Sequence, residues 1–111
     1  MPGGLVGGTI GGSGVEVPRF PQPDVGPRPI RMPKASYTED AIRSNVSGSV
    51  KLLVVIDEQG KVRVLDITQS IPELDEVAIH TVESSWRFEP ATKNGRPISC
   101  VSNLVVRFNL R

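Results

Sequence analysis

The sequence is poor in the residues on which most small-domain chemistry relies. Cys100 is the only cysteine, which excludes an internal disulfide and a cysteine cage for a metal. His80 is the only histidine, which removes His-pair zinc sites and most His-relay chemistry. There is no Ser/His/Asp set, no metal-ligand set and no Gly-rich phosphate loop opening a helix. The chain is therefore expected not to be an enzyme and to carry no cofactor. Charge of one sign is also lacking: 13 Lys and Arg face 12 Asp and Glu, a formal net charge of +1. No basic field suited to nucleic acid results. No run reaches the roughly 18 apolar residues of a membrane span. Met1 to Gly14 lack the basic and apolar regions of a signal peptide. Any membrane anchor of the parent protein is expected upstream. A single cysteine leaves the redox compartment open.

What the chain has is glycine and proline, concentrated at one end. Residues 1–33 hold eight of the 11 glycines and seven of the 10 prolines. Gly3 to Gly14 make a loose start, and Pro18, Pro21, Pro23, Pro27, Pro29 and Pro33 stiffen the chain toward polyproline II. Such a segment buries too little apolar surface to offset its ordering entropy. Residues 1–33 are expected to be a disordered linker and residues 34–111 one small folded domain. Pro18-Arg19-Phe20-Pro21 contains a bare PxxP, a pattern that also fits a ligand for an SH3-like groove. The spacer reading is preferred.

The domain reads as short helix, strand, strand, helix, strand. Tyr37 to Arg43 carries acids early and Arg43 late, which suits a helix dipole. Ser49 to Ile56 is β-branched-rich, with Val50, Leu52, Val54 and Ile56 on one face. Asp57 to Gly60 reads as a turn. In the next strand, Lys61 to Gln69, the alternation slips. A bulge would place Val62, Leu65 and Ile67 on one face. Ser70 to Glu73 has the form of a capping box. It precedes a helical stripe of Leu74, Val77, Ala78, Thr81, Val82, Ser85 and Trp86. Asn94-Gly95 marks a tight turn. Ile98 to Leu110 is expected to be the last strand. The fold class is α+β: a small antiparallel three-stranded sheet with one main helix packed on one face and a short helix before the first strand. Trp86, Phe88 and Phe108 are assigned to the core, Cys100 to a small buried hydrophobe, and His80 to the surface.

Taken in order, these pieces resemble the TonB C-terminal domain family. Gly48-Ser49-Val50, Gly60-Lys61-Val62, Leu74-Asp75-Glu76-Val77-Ala78, Asn94-Gly95-Arg96-Pro97-Ile98 and Val106 to Leu110 each match a family position. Trp86-Arg87-Phe88-Glu89-Pro90-Ala91, matching Trp-x-Phe-x-Pro-Ala, is the most specific. Thr38 departs from the pattern, standing where the family has Pro after Tyr, and is expected to loosen the start of the helix.

The resemblance implies a periplasmic domain tethered to the inner membrane by an anchor outside this chain and driven by an ExbB/ExbD-type proton-motive complex. It implies binding of the TonB box, an extended peptide of an outer-membrane transporter, by pairing with the last strand. An open sheet edge is itself a template for another strand. The candidate partner-binding residues are Ser99, Cys100, Val101, Ser102, Asn103, Leu104, Val105, Val106 and Arg107, with Tyr37 beside them. A second class of function uses the same edge for a self-associating domain, a strand-paired homodimer.

Overall fold

The computed structural model describes residues 9–10 and 15–109. In chain order its elements are β1 (Thr9–Ile10), β2 (Val15–Glu16), β3 (Arg28–Arg31), α1 (Glu39–Arg43), β4 (Gly48–Ile56), β5 (Val62–Gln69), α2 (Asp75–Ser85), β6 (Arg87–Glu89), β7 (Ala91–Lys93), β8 (Arg96–Ile98) and β9 (Cys100–Phe108). The main sheet is antiparallel with strand order β5-β4-β9. This is the expected α+β architecture. β4 is central because its residues suit burial on both sides. Val50, Leu52, Val54 and Ile56 face α2 and are fully buried, and Leu53 and Val55 on the opposite face are buried too. A near-continuous apolar run is what a strand covered on both faces requires.

α2 lays its stripe on this sheet. Leu74, Ala78 and Val82 are fully buried, Thr81 is buried, and Val77 and Ile79 pack against the same cluster. Trp86 and Phe88 follow the helix into the core, where Phe108 of β9 also sits. Each such side chain removed from water contributes about 1.5–3 kcal/mol before ordering costs.

The start of α2 differs from the capping box expected at Ser70 to Glu73. The helix begins at Asp75, after a turn in which the Leu74 and Asp75 amides donate to the Ile71 carbonyl at 2.7 and 2.9 Å. Asp75 itself reaches back, accepting from the Ile71 amide at 2.9 Å and from the Ser70 hydroxyl. The acid that reaches back is thus Asp75, two residues later than the motif spacing suggests.

The bulge in β5 exists but lies elsewhere. Val54 pairs with Val64 and Leu53 with Asp66, leaving Leu65 as the extra residue; Lys51 with Gln69 and Leu52 with Ile67 show a second shift. Val62, Val64 and Ile67 therefore share the core side, and Leu65 leaves it. The expected set had Leu65 in place of Val64. Packing of Val64 beside β4 settled a choice that alternation alone left ambiguous.

Two turns follow the expected chemistry. The Asp57 carbonyl accepts from the Gly60 amide at 2.9 Å, and its carboxylate accepts from the Gln59 and Lys61 amides, each at 2.9 Å. Asn94 and Gly95, with φ of 52° and 78°, join β7 to β8 as both residues of a type I′ turn require. Gly60 has a further task. Its carbonyl accepts from the Phe88 amide at 3.0 Å, and a Cβ on it would lie 1.8 Å from the Phe88 carbonyl oxygen. Only glycine lets the hairpin tip touch the chain leaving α2.

Thr38 does the opposite of loosening. Its hydroxyl oxygen accepts from the Ala41 amide at 3.1 Å as the N-cap of α1, and the hydroxyl donates to the Glu73 carbonyl at 3.3 Å. A proline there could do neither. The two connections set measurable costs in urea unfolding. Thr38→Ala is expected to lose about 1 kcal/mol, the usual worth of a cap. Gly60→Ala is expected to lose at least about 2 kcal/mol, because φ of +81° and a backbone clash add. Equal midpoints for the two variants would contradict the contact between the hairpin tip and Phe88.

Candidate functional site

β9 pairs with β4 through nine consecutive positions, Gly48 with Phe108 to Ile56 with Cys100, without a register break. Its other side is the rim of the sheet. Among the described residues, no backbone group outside β4 pairs with β9. The last strand is thus an edge, with one row of main-chain donors and acceptors directed away from the sheet.

The candidate residues divide by parity along this strand. Cys100, Ser102, Leu104 and Val106 share the face of Phe108, toward α2; Val106 is buried and Leu104 packs against the core. Val101, Asn103, Val105 and Arg107 take the opposite face, where Asn103, Val105 and Arg107 are exposed. Val105, 41% exposed, is one of the few large apolar side chains open to solvent among the described residues. Ser99 lies outside the strand. The last strand starts at Cys100 rather than at the expected Ile98, which instead pairs with Ala91 at the end of the β7–β8 hairpin. Pro97 carries no N–H and sits in that small hairpin, so the long ladder begins only after it. Leu110 lies outside the described residues.

Tyr37 reaches the same end of the strand. Its ring meets the ring of Phe108 edge to face, with centroids 5.5 Å apart and planes at 74°. Its hydroxyl oxygen is buried and has no hydrogen-bond partner among the described residues. An unsatisfied buried hydroxyl costs about 1–3 kcal/mol. Tyr37, Trp86 and Val105 to Asn109 line a groove of about 430 Å³ together with Met32 to Ala35. A second groove, of about 420 Å³, lies between Cys100 to Ser102 and residues 17–23 and 27.

These grooves bring in a segment that composition marked only as linker. Part of residues 1–33 lies outside the described residues. The rest runs along the domain. β3 pairs with β6, Val25 bridges Thr92, and the Trp86 indole donates to the Pro33 carbonyl at 2.9 Å. Asp24 accepts from the Asn94 amide at 2.8 Å, Lys93 donates to the Gln22 carbonyl at 3.3 Å, and Arg28 pairs with Glu89 at 2.8 Å. Arg28 and Glu89 are both well exposed, so their ion pair contributes at most about 1 kcal/mol. No sequence signal announced these contacts. The strands among their partners, β6 and β7, are three residues each, too short for periodicity to register.

The fold and the site together define a small α+β domain that leaves one long strand open along a side. The chain belongs to the family described as the Gram-negative bacterial TonB protein C-terminal, whose model matches residues 33–110. It is 24% identical over 99 residues to the protein TonB of Pseudomonas aeruginosa, covering 88% of this chain and 25% of that relative. It therefore spans about a quarter of that relative's length. The solution NMR structure of the Pseudomonas aeruginosa TonB CTD is similar at 26% identity with a TM-score of 0.55, over 79% of this chain and 90% of that one. Among the described residues, no helix is long and apolar enough to cross a membrane.

Cys100 is the first residue of β9. Its side chain points to the core and is buried, and burial pushes the thiol above its ordinary value, with a hydrogen bond to Ser102 opposing the shift. Its main chain pairs with Ile56 of β4. Near neutral pH the native thiol is protonated and shielded. Alkylation at pH 8 is expected to be at least about tenfold slower in the folded protein than in urea. Because the folded value is the higher one, the unfolded chain gives up this proton first as pH rises. Cys100 thus favours the fold below the ordinary thiol range and erodes its stability above it. Equal alkylation rates in the two states would contradict the placement of this side chain.

Proposed function

We propose that this domain takes up an extended segment of an outer-membrane transporter, its TonB box, as an added strand on β9. The observation that carries the reading is the open side of a nine-residue strand held in unbroken register by β4. Main-chain hydrogen bonds supply grip without demanding one sequence, and alternate side chains add selectivity. Val105 and Arg107 face the partner's outward row, and Tyr37 holds a buried hydroxyl beside the strand end that a partner's acceptor would satisfy. Family membership supports this role over catalysis.

The same geometry suits force. A load directed along a paired strand is shared by several hydrogen bonds, whereas a load across it opens them one at a time. A domain that pulls on its partner gains from the first arrangement. In this reading the domain works in the periplasm, and a membrane anchor upstream connects it to an ExbB/ExbD-type motor that draws on the proton-motive force.

Proline tests the edge directly, since it removes one main-chain donor. Val105→Pro and Arg107→Pro are made separately, with circular dichroism to confirm folding. A folded variant is expected to bind a synthetic TonB-box peptide at least about fivefold more weakly, the loss of one or two hydrogen bonds at roughly 1 kcal/mol each. Unchanged affinity in a folded variant contradicts strand addition. Light scattering across a concentration series separates this reading from self-pairing of the edge: a mass that climbs to twice 12.0 kDa without peptide favours the strand-paired homodimer.

A further inference from the structure

The open edge of β9 has this chain's own N-terminal segment beside both of its ends. Residues 17–23 lie across a groove from Cys100 to Ser102, and Met32 to Ala35 lie across another from Val105 to Asn109. Only Asn103 and Leu104, in the middle, have no such neighbour in either groove. A strand added to β9 runs about 4.8 Å from it and, at about 3.3 Å per residue, needs roughly 30 Å of clear flank to pair along nine residues. With the segment in place, that flank is not clear.

The segment is fastened to a different part of the domain. Its attachments run to β6, β7 and the Asn94-Gly95 turn, through Arg28, Val25, Asp24 and the Gln22 carbonyl. None of these bonds involves β4, β5 or β9. Residues on it stay exposed, including Val25, Ile30 and Met32 at 56%, 62% and 48%. Apart from Val17, which is buried, it buries little, and Val17 is not part of the main core cluster, so detaching the segment leaves the sheet and its helix intact. Beyond it, the Trp86 bond to Pro33 and the packing of Ala35 tie the chain into the core.

We propose that residues 17–32 form a releasable strap that competes with the partner for the flank of β9. This rests on the strand-addition reading and adds its regulation. A pull on the chain upstream of residue 17 loads the strap's attachments before it loads the core, because they come first along the chain. Tension thus clears the edge at the moment the domain must hold its partner. Pairing along Cys100 to Ser102 requires the strap to be off, so apparent affinity falls by the fraction of molecules in which it is on.

The test clamps the strap. Val25 and Thr92 exchange two backbone hydrogen bonds, at 3.2 and 2.9 Å. Their Cα atoms are thus about 5.5 Å apart, within disulfide range. Val25→Cys with Thr92→Cys, in a Cys100→Ala background, is titrated with a synthetic TonB-box peptide when oxidised and again after reduction. The oxidised protein is expected to bind at least tenfold more weakly, with affinity restored by reductant. Arg28→Glu, which sets two acids against each other, is expected to speed amide exchange in residues 28–31 and tighten peptide binding severalfold. Equal affinity in the oxidised and reduced forms overturns the strap while leaving strand addition standing. So does an Arg28→Glu variant with released amides and unchanged affinity. Absence of binding by the wild-type chain itself overturns strand addition, and the strap with it.

Discussion

The pairing of β4 with β9 is the interaction on which the rest of the structure depends. It joins residues near position 50 to residues near position 105 over nine positions in unbroken register. That register places Val106 and Phe108 on the same side as Val50, and so brings the two strands' apolar rows against one helix. A slip of one residue would turn Val106 and Phe108 to the other face and Arg107 inward. The alternate burial along β9 makes that slip costly. Because β4 is already paired with β5 on its other side, β9 can only close the sheet as its rim. The open edge is thus a consequence of the strand order and needs no special residue to create it.

The smaller elements extend this scheme. Gly60 lets the Phe88 amide reach the hairpin tip, which directs the chain after α2 into β6 and the β7–β8 hairpin. β6 and β7 give the N-terminal segment strands to pair with. The segment passes the two ends of β9. A segment rich in proline suits this position. It offers few amides for competing ladders and pays less entropy on ordering than a glycine-rich one. It makes contacts that are few and exposed, which is what allows them to be broken without loss of the core.

Much of the candidate site was readable in the chain. The alternation of Leu104, Val106 and Phe108 against Arg107 and Asn109 is a period-two signal long enough to assign a strand and its buried face. The spacing of Leu74, Ala78 and Val82 likewise assigned the helix that covers it. The errors fell where two local rules competed. At Val64 and Leu65 two parities were equally apolar, and only packing beside β4 chose between them. At Ser70 to Glu73 a motif matches by residue type, yet the turn held by the Ile71 carbonyl starts the helix at Asp75, and Asp75 takes the reciprocal bonds. At Thr38 the departure from the family pattern is a gain, because threonine brings a hydroxyl that caps α1 and donates to the Glu73 carbonyl.

By itself the sequence determined the elements and their inward faces, because helix and strand periodicity are local properties of neighbouring residues. It also determined the turns at Asp57 to Gly60 and Asn94-Gly95, where backbone shape is set by one or two residues. Tertiary structure alone decided which strand lies at the rim, since strand order depends on contacts between residues about fifty positions apart. It alone placed the N-terminal segment along the domain and brought Tyr37 to the end of β9. Those arrangements come from where the finished surface leaves room and partners, and no run of adjacent residues encodes that.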